Sequence, residues 1–387
     1  MRGYYIWLLF VQVANAFNAS DPCDKSKIDV VLNDCPLKQV YLGDGDQMEL
    51  DFGVYDWEIP WVNRGNESVD GYWIMSGKGY GWSKNGESHR MDSPGPIIKL
   101  AKGSKTFVLN RNLLNVTAQQ ALDLNSNIHT HGLHVSSLED DPAIKVPPGT
   151  EYLYEYNLPE DHAGGTHWYH PHMHRISELF INGGAAGMII VEDKDDGTEI
   201  PLDVLEMEEV PLFIQYFNPS RLWQLSQGHP DSFSTRFNTR DPTFDVDMSM
   251  KGFSSISAGF SALKQEFYFV NGFYRPTLEL QQGIWYRWRI AHVANDQDVK
   301  LVLRDAAAMG CTFKLLSRDG VYVPFGPRLL DFSSGNYIHL HPASRADILV
   351  MCDGAVGETG AIYDNFNSYY RDVSSTFSDF TGIYNGR

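Results

Sequence analysis

Hydrophobic and polar residues alternate in short runs along most of this chain. Gln47-Met48-Glu49-Leu50-Asp51-Phe52 shows it most clearly. Ile97-Ile98-Lys99-Leu100, Thr106-Phe107-Val108-Leu109, Tyr152-Leu153-Tyr154-Glu155-Tyr156 and Gly187-Met188-Ile189-Ile190-Val191-Glu192 follow. A period of two puts successive side chains on opposite faces of a strand. Short runs of this kind, punctuated by Gly, Pro and Asn, predict a β-sandwich. No long window sustains a helical period, although a helical turn near residues 178–180 is compatible with the sequence. After a charged break at Lys194-Asp195-Asp196-Gly197, a second set of strands begins near Val210 and includes Trp285-Tyr286-Arg287-Trp288-Arg289-Ile290 and Ala346-Asp347-Ile348-Leu349-Val350. The pattern predicts an all-β chain of two consecutive sandwiches, over residues 40–195 and 205–360. A polar lead-in would span 17–39, and a tail or linker 361–387.

Composition adds a compartment. Of 387 residues, 43% are hydrophobic, enough for a sizeable core. A charge at Arg2, an apolar run from Tyr4 to Val13 and the small-residue Ala14-Asn15-Ala16 site read as a secretory signal over residues 1–16. No later run is long and apolar enough for stable membrane insertion. Sequons at Asn18, Asn66 and Asn115 agree with a secreted, extracellular glycoprotein. Four cysteines in an exported chain suggest two disulfides. Three pairings are open, and the local one, Cys23–Cys35 with Cys311–Cys352, is expected. A net charge of −18 excludes nucleic acid as a partner and favours cations.

Candidate chemistry lies in two histidine-rich stretches, Asn127-Ile128-His129-Thr130-His131-Gly132-Leu133-His134 and Thr166-His167-Trp168-Tyr169-His170-Pro171-His172-Met173-His174. Each contains a His-x-His step, whose two rings share one face of an extended strand. Two such strands side by side would gather His129, His131, His170 and His172 into a site for a transition metal, since neutral imidazole suits copper, zinc, iron and nickel.

His129-Thr130-His131-Gly132 and His167-Trp168-Tyr169-His170-Pro171-His172 resemble the first two copper motifs of the multicopper oxidases, the laccase family. Ser93-Pro94-Gly95-Pro96 resembles that family's first domain. Ser317-Arg318-Asp319-Gly320 and Ser344-Arg345-Ala346-Asp347-Ile348-Leu349-Val350 resemble its second. The resemblance covers most of residues 40–355 and implies cupredoxin-like Greek-key domains with copper as cofactor. It makes His129 a type 2 copper ligand, His131 and His170 ligands of one type 3 copper, and His172 a ligand of the other. Asp140 falls near the place of an acid that relays protons to the cluster, although here Asp141-Pro142 follows it. In the family a third domain adds further His-x-His segments and a blue copper on a His-Cys-His segment, and no His-Cys-His occurs in this sequence.

The expected function is a secreted laccase-like oxidase present as an incomplete chain. It would oxidise phenols, amines or metal ions and reduce dioxygen to water, with a third domain or partner chain supplying the missing ligands. The alternative is a non-catalytic copper-binding protein or partner subunit, and a zinc hydrolase is a distant third. His134 and His167 read as structural residues, His174 as a neighbour of the ligands, and His339-Leu340-His341 as a surface strand edge. Asp140 can also be read as part of a solvated acidic turn, and Met248 with Met250 are too few for a soft-metal site.

Overall fold

A computed structural model describes residues 6–13, 23–25, 30–62, 69–115, 124–174, 176–218, 234–239, 267–294, 297–304, 309–330, 338–355 and 359–364. The sequons at Asn18 and Asn66, the methionines Met248 and Met250, and residues 365–387 lie outside these. The regular elements of the described residues are almost all strands, arranged as two sandwiches. No helix among them is long and apolar enough to cross a membrane.

In the first sandwich one sheet runs Gln39–Leu42, Ile97–Leu100, Gly187–Val191, Gly165–His170, His129–His131 in spatial order. The sheet facing it runs Ser234–Thr239, Val69–Lys84, Gln47–Val62, Lys105–Asn112, Glu151–Asn157. The second sandwich pairs a sheet built on Glu208–Phe217, Tyr286–Val293 and Arg345–Cys352 with one built on Thr277–Leu280, Ile6–Val13, Thr359–Asp364, Val299–Arg304 and Ile338–Leu340. Ile6–Val13, within the apolar run at the N-terminus, lies parallel to Thr277–Leu280 and antiparallel to Thr359–Asp364.

Alternation explains how the sandwiches fill and then join. Leu50, Phe52, Val108 and Tyr154 point into the first core with Ile189 and Val191. Met188 and Ile190, on the other face of the same strand, pack with Trp168, Ile97, Phe213, Ala291 and Val293 in a separate cluster. That strand is buried at every position because one face serves its own sandwich and the other serves the neighbour. Trp288, Ile290, Ile348 and Val350 fill the second core.

A buried ion network borders this junction. Asp193, just past Gly187–Val191, meets Arg287 Nη1 at 2.5 Å and Arg289 Nη2 at 3.2 Å. Arg287 also donates to Asp347 Oδ2 at 2.7 and 3.1 Å. The other oxygen of Asp347 accepts from the Thr166 hydroxyl at 2.6 Å. Buried charges persist only when paired and hydrogen-bonded, as these are. Both disulfides take the expected local pairing, Cys23–Cys35 and Cys311–Cys352.

Candidate metal centre

The first His-x-His step is a three-residue strand, His129–His131, at the edge of its sheet. Several buried polar ties hold the chain around it. Asn112 Nδ2 donates to the carbonyls of Leu124 and Val146 at 3.0 and 2.8 Å. The Ile128 N–H donates to the Tyr154 hydroxyl at 3.1 Å. Asn127 donates to the Pro142 carbonyl at 3.0 Å and accepts the His172 N–H at 2.6 Å, so one side chain joins both histidine segments.

Register does the rest. His129–His131 runs antiparallel to Gly165–His170, with His170 opposite His129 and Trp168 opposite His131. These four side chains therefore share a face. His129, His131 and His170 each offer a ring nitrogen, and the three nitrogens lie within 4.8 Å of one another. His172 stands beside them, its ring 5.1 Å from that of His129 and 5.9 Å from that of His170. The expectation of two flanking strands holds for the first step only. The strand ends at His170, and His172 lies beyond Pro171, which has no N–H to continue the ladder.

Hydrogen bonds select which nitrogens remain for a metal. His129 Nδ1 lies 2.8 Å from Asp140 Oδ2, and Asp140 Oδ1 accepts the Thr130 N–H at 2.9 Å. A carboxylate only accepts, so His129 carries its proton on Nδ1 and leaves Nε2 with a lone pair. His170 Nδ1 lies 3.1 Å from its acceptor, the Pro171 carbonyl, which leaves Nε2 as the free atom. That Nε2 is buried and has no hydrogen-bond partner among the described residues. An orphaned buried acceptor aimed at two more imidazoles is the arrangement a metal ion completes.

Burial, then the Arg345 guanidinium and His129, push His131 down to about 4. Burial drives His170 well below the usual imidazole range. Both rings are thus neutral at pH 7. Burial raises the Asp140 carboxyl, but the His129 hydrogen bond and the Thr130 N–H outweigh it, so Asp140 stays below its ordinary range.

Trp168 is the neighbour that the sequence reading left unassigned. Its indole stacks on His170 at 4.2 Å and on His131 at 4.9 Å, and it is rooted in the cluster between the sandwiches. Its position two residues before His170 was the available signal. His167 points to the opposite face, buried between two glycines. A Cβ on Gly132 (φ +93°) would run into Arg345 and lie 2.9 Å from His167 Nδ1. One on Gly320 (φ +80°) would lie 2.9 Å from His167 Cε1. His134 donates its backbone N–H to His162 Nε2 at 3.0 Å, away from the cluster.

The family description for multicopper oxidases matches residues 79–196, which include both histidine segments. This part of the chain is similar to the multicopper oxidases. Laccase-1 of Thanatephorus cucumeris is 28% identical over 140 residues, covering 35% of this chain and 23% of that protein. The cell division protein FtsP of Escherichia coli (strain K12) is 24% identical over 288 residues, 72% of this chain and 51% of that one. A crystal structure of a multicopper oxidase from Pediococcus acidilactici shares the fold at a TM-score of 0.54 and 16% identity, over 97% of this chain and 64% of that one. The chain thus spans about a quarter of the laccase and about half of FtsP. Copper is the family's metal, and the donor set fits it, because imidazole suits copper.

Proposed function

We propose that this chain is the part of a laccase-like oxidase that holds one side of a copper cluster. His129, His131, His170 and His172 are its ligands, and Asp140 orients His129. Copper held by these residues would supply the electron transfer that couples oxidation of phenols, aromatic amines or low-valent metal ions to reduction of dioxygen. One dioxygen takes four electrons and four protons to give two waters. Asp140, hydrogen-bonded to His129 and still 12% exposed, is positioned to pass protons inward from solvent. All four cysteines are in disulfides, so a thiolate copper that accepts electrons from the substrate comes from a further domain or a partner chain. The two disulfides suit secretion into an oxidising compartment.

The observation that carries this reading is the convergence of three imidazoles, with the buried His170 Nε2 left unpartnered. The test is copper content together with oxygen consumption in the presence of a phenol, for the protein isolated with its partners and for its His131→Ala/His170→Ala variant. Loss of both in the variant is expected. Copper uptake that the variant leaves unchanged overturns the site. Copper uptake with no oxygen consumption points to a copper-binding subunit instead.

A further inference from the structure

The second sandwich holds another convergence of metal-ligating groups. Ile338–Leu340 pairs antiparallel with Val299–Arg304, with Leu340 opposite Val299 and His339 opposite Lys300. Continuing that register sets His341 across from Asp298. The Asp298 carboxylate meets both rings, with Oδ2 3.0 Å from His339 Nε2 and Oδ1 3.1 Å from His341 Nδ1. The ring centroids are 4.1 Å apart. One donor atom from each of the three residues lies within 4.8 Å of the other two.

We propose that Asp298, His339 and His341 form a second metal site, for a divalent transition ion of the zinc and cupric class, separate from the histidine cluster of the first sandwich. In a tetrahedral site, ligands at about 2.0–2.2 Å from zinc lie roughly 3.3–3.6 Å from one another. His339 Nε2 and His341 Nδ1 donate to the carboxylate at 3.0 and 3.1 Å, so a bound ion replaces these two hydrogen bonds, each ring shifting its proton to its other nitrogen and the three groups spreading slightly. Two imidazoles and one carboxylate are a ligand set that such ions accept with water in the open positions. His341 is 67% exposed and Asp298 22%, which leaves solvent access for entry and for that water. A net charge of −18 raises the local cation concentration. The surface-edge reading of His339-Leu340-His341 considered neither Asp298 nor the pairing that brings it to the histidines.

The test titrates Zn2+ into the full chain carrying His131→Ala and His170→Ala, so that the first cluster is silent. One equivalent of bound zinc is expected. Adding His341→Ala should weaken that binding at least tenfold while leaving the thermal midpoint without metal unchanged, since the side chain is largely exposed. Should the double variant not fold, His341→Ala in the otherwise unaltered chain should lower total bound zinc by one equivalent, and Asp298→Asn should do the same. Zinc binding that His341→Ala leaves as it was, or a silenced chain that binds no zinc, overturns the site and leaves a hydrogen-bonded His–Asp–His cluster.

Discussion

The Asp140 carboxylate lies 2.8 Å from His129 Nδ1 and holds the Thr130 N–H with its other oxygen. It fixes both the tautomer of His129 and the backbone of the strand that carries His131. Residues that orient a metal-ligating histidine change metal affinity by roughly 10–100-fold when removed. Asp140→Ala should weaken copper binding within that range. Asp140→Asn should weaken it less, because the amide oxygen still accepts from Nδ1. Competition against a chromophoric chelator reads both, and equal affinity in all three proteins would remove the orienting role.

Gly132 has a φ of +93° and sits against Arg345 and His167. Gly132→Ala adds left-handed strain of about 1–2 kcal/mol and a contact that the second sandwich must yield to. Urea unfolding should show a lower midpoint for the variant. Copper affinity should fall with it, because His131 precedes this turn.

Asp347 joins Arg287, on the adjacent strand, to Thr166 of the first sandwich. Removing one partner of a buried pair costs about 3–5 kcal/mol, since the remaining charge stays buried. Asp347→Ala should lose that much stability. Limited proteolysis should then cleave between the sandwiches first.

Without metal, stability should fall with acid in a defined window. Burial holds His292 at about 4, His131 at about 4 and His167 at about 3, against 6.5 when unfolded. The unfolded chain therefore binds more protons between pH 6.5 and pH 4. Each ring then removes up to about 1.4 kcal/mol per pH unit as pH falls through that range, and only a few tenths in the unit above it. The urea midpoint measured at pH 7.5, 6.5 and 5.5 should fall slightly across the first step and about three times as much across the second. A level profile throughout would show that these rings are not held neutral.

Much of the centre is legible locally. A strand's period of two places His129 with His131, and Gln47 to Phe52 in alternation, without reference to anything distant. The same rule applied to Trp168 and His170 would have identified the stacking indole. It fails at His172, because Pro171 ends the strand and the segment turns to meet Asn127.

The sequence by itself determined the all-β architecture and the two histidine steps, because each depends on neighbours in the chain, whereas strand register is what brings Cys311 to Cys352. Only the tertiary structure decided how these parts meet. Strand register set His170 opposite His129, Trp168 opposite His131, and His339 and His341 beside Asp298. The packing of two sandwiches selected glycine at 132 and 320 and enclosed His167 between them. Pairing between strands and contact between sheets are choices among distant segments, fixed by burial of both faces at once, and no local pattern encodes them.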